Sequence, residues 1–182
     1  MYGLINNAMQ SMIREKFGDE QWGRIKEASG VPEDSFLTMR SYDDALTYDL
    51  VGAAAKVLGA PVEDCLKMFG EYWVLETAAN SYGPLMDASG ETMVDFLGNM
   101  NALHDRITGT FLNYVPPEFE VEELGDQRHR IHYISKRQGL VPFVVGLLSG
   151  LSQRFNSELE IHHQEQLDVE QGTHAVFEVS IR

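Results

Sequence analysis

Apolar residues fall at helical spacing through the first two-thirds of the chain. Leu4, Ile5, Ala8, Met9, Met12, Ile13 and Phe17 recur at three- and four-residue intervals, which predicts an amphipathic helix closed near Gly18. Trp22, Ile25 and Ala28 predict a short second helix ending at Gly30. The loop VPEDSFLTMRSYDD precedes a third helix, TYDLVGAAAKVLG, with Gly59 at its C-terminal end. Pro61 suits the first turn of a fourth, which runs through CLKMFGEYWVLETAA. Asn80 to Gly83 read as a turn, after which Pro84 can start a short helical piece through Leu85 and Met86. A longer helix is then predicted from about Glu91 to Phe111, with Met93, Phe96, Leu97, Met100, Leu103, Ile107 and Phe111 as its apolar positions.

After that helix the period changes from helical to alternating. FEVEEL, RIHYISK, ELEIHH and HAVFEVSI predict four strands of an antiparallel sheet. A helix from Leu140 to about Phe155, with Pro142 tolerable in its first turn, separates the second strand from the third. No repeat, low-complexity segment or linker interrupts the pattern. The expectation is one α+β domain over residues 1–182, with a helical N-terminal part, a long helix bearing His104, and a four-stranded antiparallel sheet.

Composition narrows the classes of partner. With 28 acidic and 14 basic residues among 182, the net charge of −14 disfavours nucleic acid, whose phosphates are held by clustered Lys and Arg. The same field disfavours anionic membrane surfaces. The longest apolar run, Leu140 to Leu148, is far short of the roughly 20 residues a membrane helix needs. MYGLINNAMQSMIREKFGDE has no basic region followed by an apolar stretch and a cleavage site, so export is not expected and the cytoplasm is. A single cysteine, Cys65, fits a reducing compartment and rules out an internal disulfide; beside Leu66 it reads as an inert buried thiol.

Two features carry chemistry. On the His104 helix one stripe runs Leu97, Met100, His104, Ile107, Phe111, which puts a histidine in the middle of an apolar face. Such a residue is commonly a satisfied core histidine. A lone His is poor for zinc, which wants three or four protein ligands, but is sufficient for haem, where the porphyrin supplies four nitrogens. Within HRIHYISKRQG, Tyr133, Ser135 and Arg137 alternate; on a strand they share one face and span about 13 Å at about 3.3 Å per residue. All three donate hydrogen bonds and one is permanently charged, which suits a ligand with paired anionic groups. On spacing alone a half-solvated strand face is the simpler reading. Taken with His104, the row points to one ligand, because haem carries two propionates on the edge of a flat apolar disc.

The chain resembles the haem nitric oxide/oxygen binding (H-NOX) family, which includes the haem domain of soluble guanylate cyclase. The likeness rests on MYGLINNAM, TYDLVGAAAKVLG, FGEYW, NALHD, VPPEF and YISKR, and above all on Tyr-x-Ser-x-Arg downstream of a helical His. The resemblance implies haem b with ferrous iron buried between the helices and the sheet, His104 as proximal ligand, and Tyr133, Ser135 and Arg137 on the propionates. It implies that Pro117 presses on the porphyrin, and that Ile5, Met9, Trp73, Phe143, Val144 and Leu147 are candidates for the distal pocket. It further implies that NO weakens the iron bond to His104 and frees its helix, signalling to a separate effector such as a histidine kinase or a cyclic-nucleotide enzyme.

Family members that hold O2 stably place a distal tyrosine on the helix after the Tyr-x-Ser-x-Arg strand, and GLVPFVVGLLSGLSQRF has none. The expectation is an NO and CO binder, although Tyr2, Tyr72 or the Trp73 indole could supply a donor. Two other readings stand beside it. One is an O2 or redox haem sensor; the other is a small enzyme using His104 as a base, which lacks an activated nucleophile, a phosphate loop or a telling carboxylate pair. His162, His163 and His174 are candidates for a metal site, but adjacent strand residues face opposite ways, so solvated histidines are the expectation.

Overall fold

A computed structural model describes residues 1–109 and 114–182. Helices α1 (Gly3–Phe17), α2 (Asp19–Ser29), α3 (Asp44–Leu58) and α4 (Val62–Tyr72) follow the apolar periodicity, and Gly30 and Gly59 close α2 and α3 in the left-handed conformation. Asp43 caps α3 by accepting the Ala45 N–H. Beyond α4 the chain continues as a π-helical segment, Trp73–Ala78, and then α5 (Ala79–Asp87). The turn expected at Asn80 to Gly83 is instead a kink inside this run, where Tyr82 leaves helical geometry (φ −136°, ψ 17°) just before Pro84.

The long helix expected from Glu91 is two helices. Thr92 and Asp95 form a capping box that starts α6 (Met93–Gly98), and α7 (Met100–Thr108) begins after Asn99. Gly98 and Asn99 are weak helix formers, and the Asn99 side chain donates to the Ser89 carbonyl at 3.0 Å, which holds the break. Phe111, the last residue of the expected stripe, lies outside the described residues.

The four strands form an antiparallel sheet in the order β1-β2-β4-β3, with β1 Glu118–Gly125, β2 Arg128–Ser135, β3 Leu159–Leu167 and β4 Thr173–Ile181. Helix α8 (Val141–Arg154) lies between β2 and β3 in the chain, with Pro142 in its first turn. It packs closely on α4: a Cβ on Gly146 would stand 2.0 Å from the Lys67 carbonyl oxygen, and one on Gly70 would stand 2.1 Å from that of Phe143. This is the mixed helix-and-sheet fold that the pattern predicts. One core joins α1 to α4 around Met12, Ile13, Ile25 and Leu50; the other joins α5 to α8 to the inner sheet face around Phe96, Ile131, Phe177 and Leu148.

Candidate functional site

A cavity of about 340 Å³ lies where the two cores meet, lined by residues of both. Its size is in the range of ligand cavities, and its walls are mainly hydrocarbon and aromatic.

His104 lines this cavity from α7. Its Nδ1 lies 3.1 Å from the Pro117 carbonyl oxygen, which can only accept, so Nδ1 carries the proton and Nε2 keeps its lone pair. Burial pushes the imidazole pKa down, only partly opposed by the Pro117 carbonyl and the Asp105 charge. The ring is therefore a neutral base with one nitrogen fixed and one available. Tyr114 meets it edge-on at 6.4 Å, and Phe119 lies tilted at 6.4 Å.

Asn101 explains how α7 is set against the sheet. Its side chain donates to the Phe119 carbonyl at 2.8 Å and accepts the Phe119 N–H at 2.9 Å, occupying the β1 edge that β2 leaves open. Asn101 and His104 are three apart on one helix, so this clamp sets the imidazole's position.

Tyr133, Ser135 and Arg137 all line the cavity. They do not lie on one straight strand: β2 ends at Ser135, and its hydroxyl accepts the Arg137 N–H at 3.1 Å as the chain turns. The Arg137 guanidinium donates from Nε to Asp44 Oδ2 at 2.8 Å and from Nη1 to the Val115 carbonyl at 3.1 Å. Asp44 also holds the Met1 α-ammonium. Burial raises the Tyr133 pKa, against the pull of Ser135 and Arg137, so its phenol stays a protonated donor.

Ile5, Trp73, Phe143, Val144 and Leu147 line the cavity, and Pro117 lies on its wall while orienting His104 through its carbonyl. Met9 does not line it. One turn beyond Ile5, it is buried in the N-terminal core with Met12 and Ile13. Tyr72 is also absent from the wall: its hydroxyl donates to Glu15 at 2.9 Å in a separate groove. Tyr2 lines the cavity but meets Tyr114 edge-on at 6.1 Å, in the aromatic group beside His104. Sequence reasoning missed Asp44, Tyr114 and Asn101. An Asp at a helix start reads as a cap, and Asn101 sits on the polar side of α7, so periodicity gave no signal for either.

A helical α+β fold enclosing an apolar cavity, with a neutral, half-buried histidine on one wall and a cationic donor row on another, defines a domain built for a prosthetic group. The chain belongs to the family described as haem-NO-binding, whose model matches residues 2–163. It is 31% identical over 171 residues to soluble guanylate cyclase gcy-31 of Caenorhabditis elegans, covering 93% of this chain and 24% of that protein. It is 24% identical to soluble guanylate cyclase 89Db of Drosophila melanogaster over 155 residues, 85% of this chain and 23% of the relative. The chain thus spans about a quarter of the length of these curated relatives. An H-NOX protein from S. oneidensis in the Fe(II)NO state shares the fold at a TM-score of 0.85 and 20% identity, with 100% of this chain and 99% of that one covered. An unliganded Fe(II) H-NOX mutant from K. algicida does so at 0.82 and 21%, with 100% and 97% covered.

Domains of this family bind haem and sense gases for effectors; they are sensors and not catalysts. The residues present fit that group. The cavity is apolar, the one histidine on its wall has a fixed N–H and an unused lone pair, and the donors at its rim suit paired carboxylates. Among the described residues no helix is long and apolar enough to cross a membrane.

Proposed function

We propose that this chain, as one unit over residues 1–182, is a ferrous-haem nitric oxide sensor in which His104 would hold the iron of haem b. When bound, the haem supplies the iron at which NO or CO attaches. The observation that carries the reading is the 3.1 Å contact between His104 Nδ1 and the Pro117 carbonyl, which leaves Nε2 as the free donor in an apolar cavity. A second group behind a ligating imidazole is what fixes its tautomer and orientation.

Tyr133, Ser135 and Arg137 would hold the propionates through two hydroxyls and a guanidinium, and Pro117 would bear on the porphyrin. Ile5, Trp73, Phe143, Val144 and Leu147 form the distal wall. The residues of α8 that reach the cavity are Phe143, Val144, Leu147, Leu148 and Leu151, with no hydroxyl among them. Distal polarity is one lever on gas choice, and a hydrocarbon wall favours NO and CO over O2, which gains from a nearby donor. Helix α7 is the element that can shift, because it carries His104 and the Asn99 break separates it from α6. Its position is read by a partner effector, a histidine kinase or a cyclic-nucleotide enzyme.

The test is an absorption spectrum of haem-reconstituted protein. A Soret band that shifts when NO is added to the ferrous form, with no stable oxygenated species in air, is expected. A stable oxygenated spectrum would contradict the NO preference, and a colourless protein after reconstitution would contradict the sensor.

A further inference from the structure

The outer face of the sheet, turned away from the haem cavity, gathers four of the six histidines of the chain: His132, His162, His163 and His174. His162 and His163 share this face. A bulge between Ile161 and His163 lets Ile161 pair with the core residue Val179 while His163 pairs with Glu178, and His162 Nε2 lies 2.7 Å from Ser180 Oγ. The opposite-face expectation fails because the bulge inserts one residue. These two rings are otherwise placed as solvated side chains beside Glu160 and Glu165.

His174 is not with them. It meets His132 across the β2–β4 pair, diagonally placed because His132 is opposite Val176. His132 Nδ1 and His174 Nε2 stand 2.9 Å apart, with ring centroids at 5.2 Å. The other nitrogen of His132, Nε2, is buried and makes no hydrogen bond, while Glu122 Oε1 lies 3.6 Å behind it. Neither histidine lines the haem cavity.

We propose that His132 Nδ1 and His174 Nε2 form a two-nitrogen site for a divalent late transition-metal ion of the Ni(II) or Cu(II) type, with Glu122 supporting His132 from behind. At imidazole–metal distances of about 2.0–2.1 Å, nitrogens 2.9 Å apart subtend an angle of about 90°. That is the cis angle of a tetragonal or octahedral ion, narrower than tetrahedral zinc prefers. At 2.9 Å only one of the two facing nitrogens carries a proton, which it donates to the other; binding moves that proton to the far nitrogen of its own ring, so that both facing lone pairs are free. For His132 this puts an N–H at Nε2, the buried atom without a partner, with the Glu122 carboxylate as acceptor. A carboxylate behind a ligating histidine holds the ring and raises its basicity. Among the described residues no group of three or more His, Cys, Asp or Glu side chains converges on one point, so water completes the coordination and the affinity is modest.

The inference does not depend on the haem reading, and redox-inert Ni(II) tests it without disturbing ferrous iron. Isothermal titration of untagged, haem-reconstituted protein with Ni(II) should show one saturable site per chain. H132A and H174A should each weaken it at least about tenfold, E122Q by about tenfold, while H162A/H163A retains it. Retention of the Soret band and of the circular dichroism spectrum in each variant separates loss of the site from loss of the fold. No saturable Ni(II) binding by the wild type would overturn the proposal, as would binding that survives in H132A/H174A or that depends on His162 and His163.

Discussion

Arg137 and Asp44, 93 positions apart, form a 2.8 Å ion pair at the rim of the cavity that His104 enters from α7. Asp44 starts α3 and Arg137 follows β2, so the pair joins the N-terminal helices to the sheet. Under the propionate reading Asp44 positions the guanidinium. Arg137→Ala removes a charge-assisted hydrogen bond, worth about 1.5–3 kcal/mol, and should speed haem loss by roughly tenfold or more; Asp44→Ala should have a smaller effect of the same sign. Haem transfer to an apo-globin acceptor measures both. Burial raises the Asp44 pKa, but its bonds to the Met1 α-ammonium and to Arg137 outweigh this and lower it overall. A depressed carboxylate contributes fully above its unfolded value of about 3.9 and is lost as pH falls through the lower folded value. Acid haem loss below about pH 4 should therefore be blunted in Asp44→Asn.

The half-buried imidazole of His104 predicts a second pH effect, in the apo-protein. Its folded pKa lies below the ordinary histidine value, chiefly through burial. Above about pH 6.5 the ring is neutral folded and unfolded; as pH falls, the unfolded chain takes up a proton that the folded one refuses. Stability should fall with pH below about 6.5 and stop responding to this residue once the lowered folded pKa is passed. Urea unfolding of apo wild type and His104→Asn at pH 7.5 and 5.5 checks it: the variant should lose less stability over that interval.

Asn101 should matter more than an exposed helix position normally does. Asn101→Ala leaves both Phe119 backbone groups without their side-chain partner and should cost about 1–3 kcal/mol by urea unfolding. Because Phe119 stands opposite Tyr133 in the β1–β2 ladder, the loss should also broaden the haem spectrum.

The apolar α8 wall predicts a gain-of-donor result. Val144 is buried on that wall, and Val144→Tyr places a phenol in the cavity. An oxygenated spectrum should become observable in air, with CO and NO binding retained as the control for an intact pocket; stopped-flow O2 dissociation measures it.

Much of this was legible in the alternation of apolar residues, and the exceptions have local causes. The strands, α8 and the stripe that carries His104 follow the period of their apolar positions. The Asn99 break depends on a bond to Ser89 that no local pattern announces. Met9 shares a helical stripe with Ile5, yet one turn of α1 is enough to carry it from the cavity wall into the N-terminal core. His162 and His163 required knowledge of a bulge, which depends on pairing with β4. Asp44 and Arg137 meet only through the tertiary fold, so neither the partner nor the turn that takes Arg137 off β2 could be read from spacing. Tyr-x-Ser-x-Arg was legible as a donor row because all three residues keep one side even where the strand has ended.

The central claim is that His104 supplies the axial nitrogen, and the spectrum of His104→Gly with and without imidazole tests it most directly. The ferrous variant should lose the wild-type Soret position and recover it when imidazole is added to fill the space left by the side chain. A ferrous spectrum in His104→Gly identical to wild type without imidazole would contradict the account.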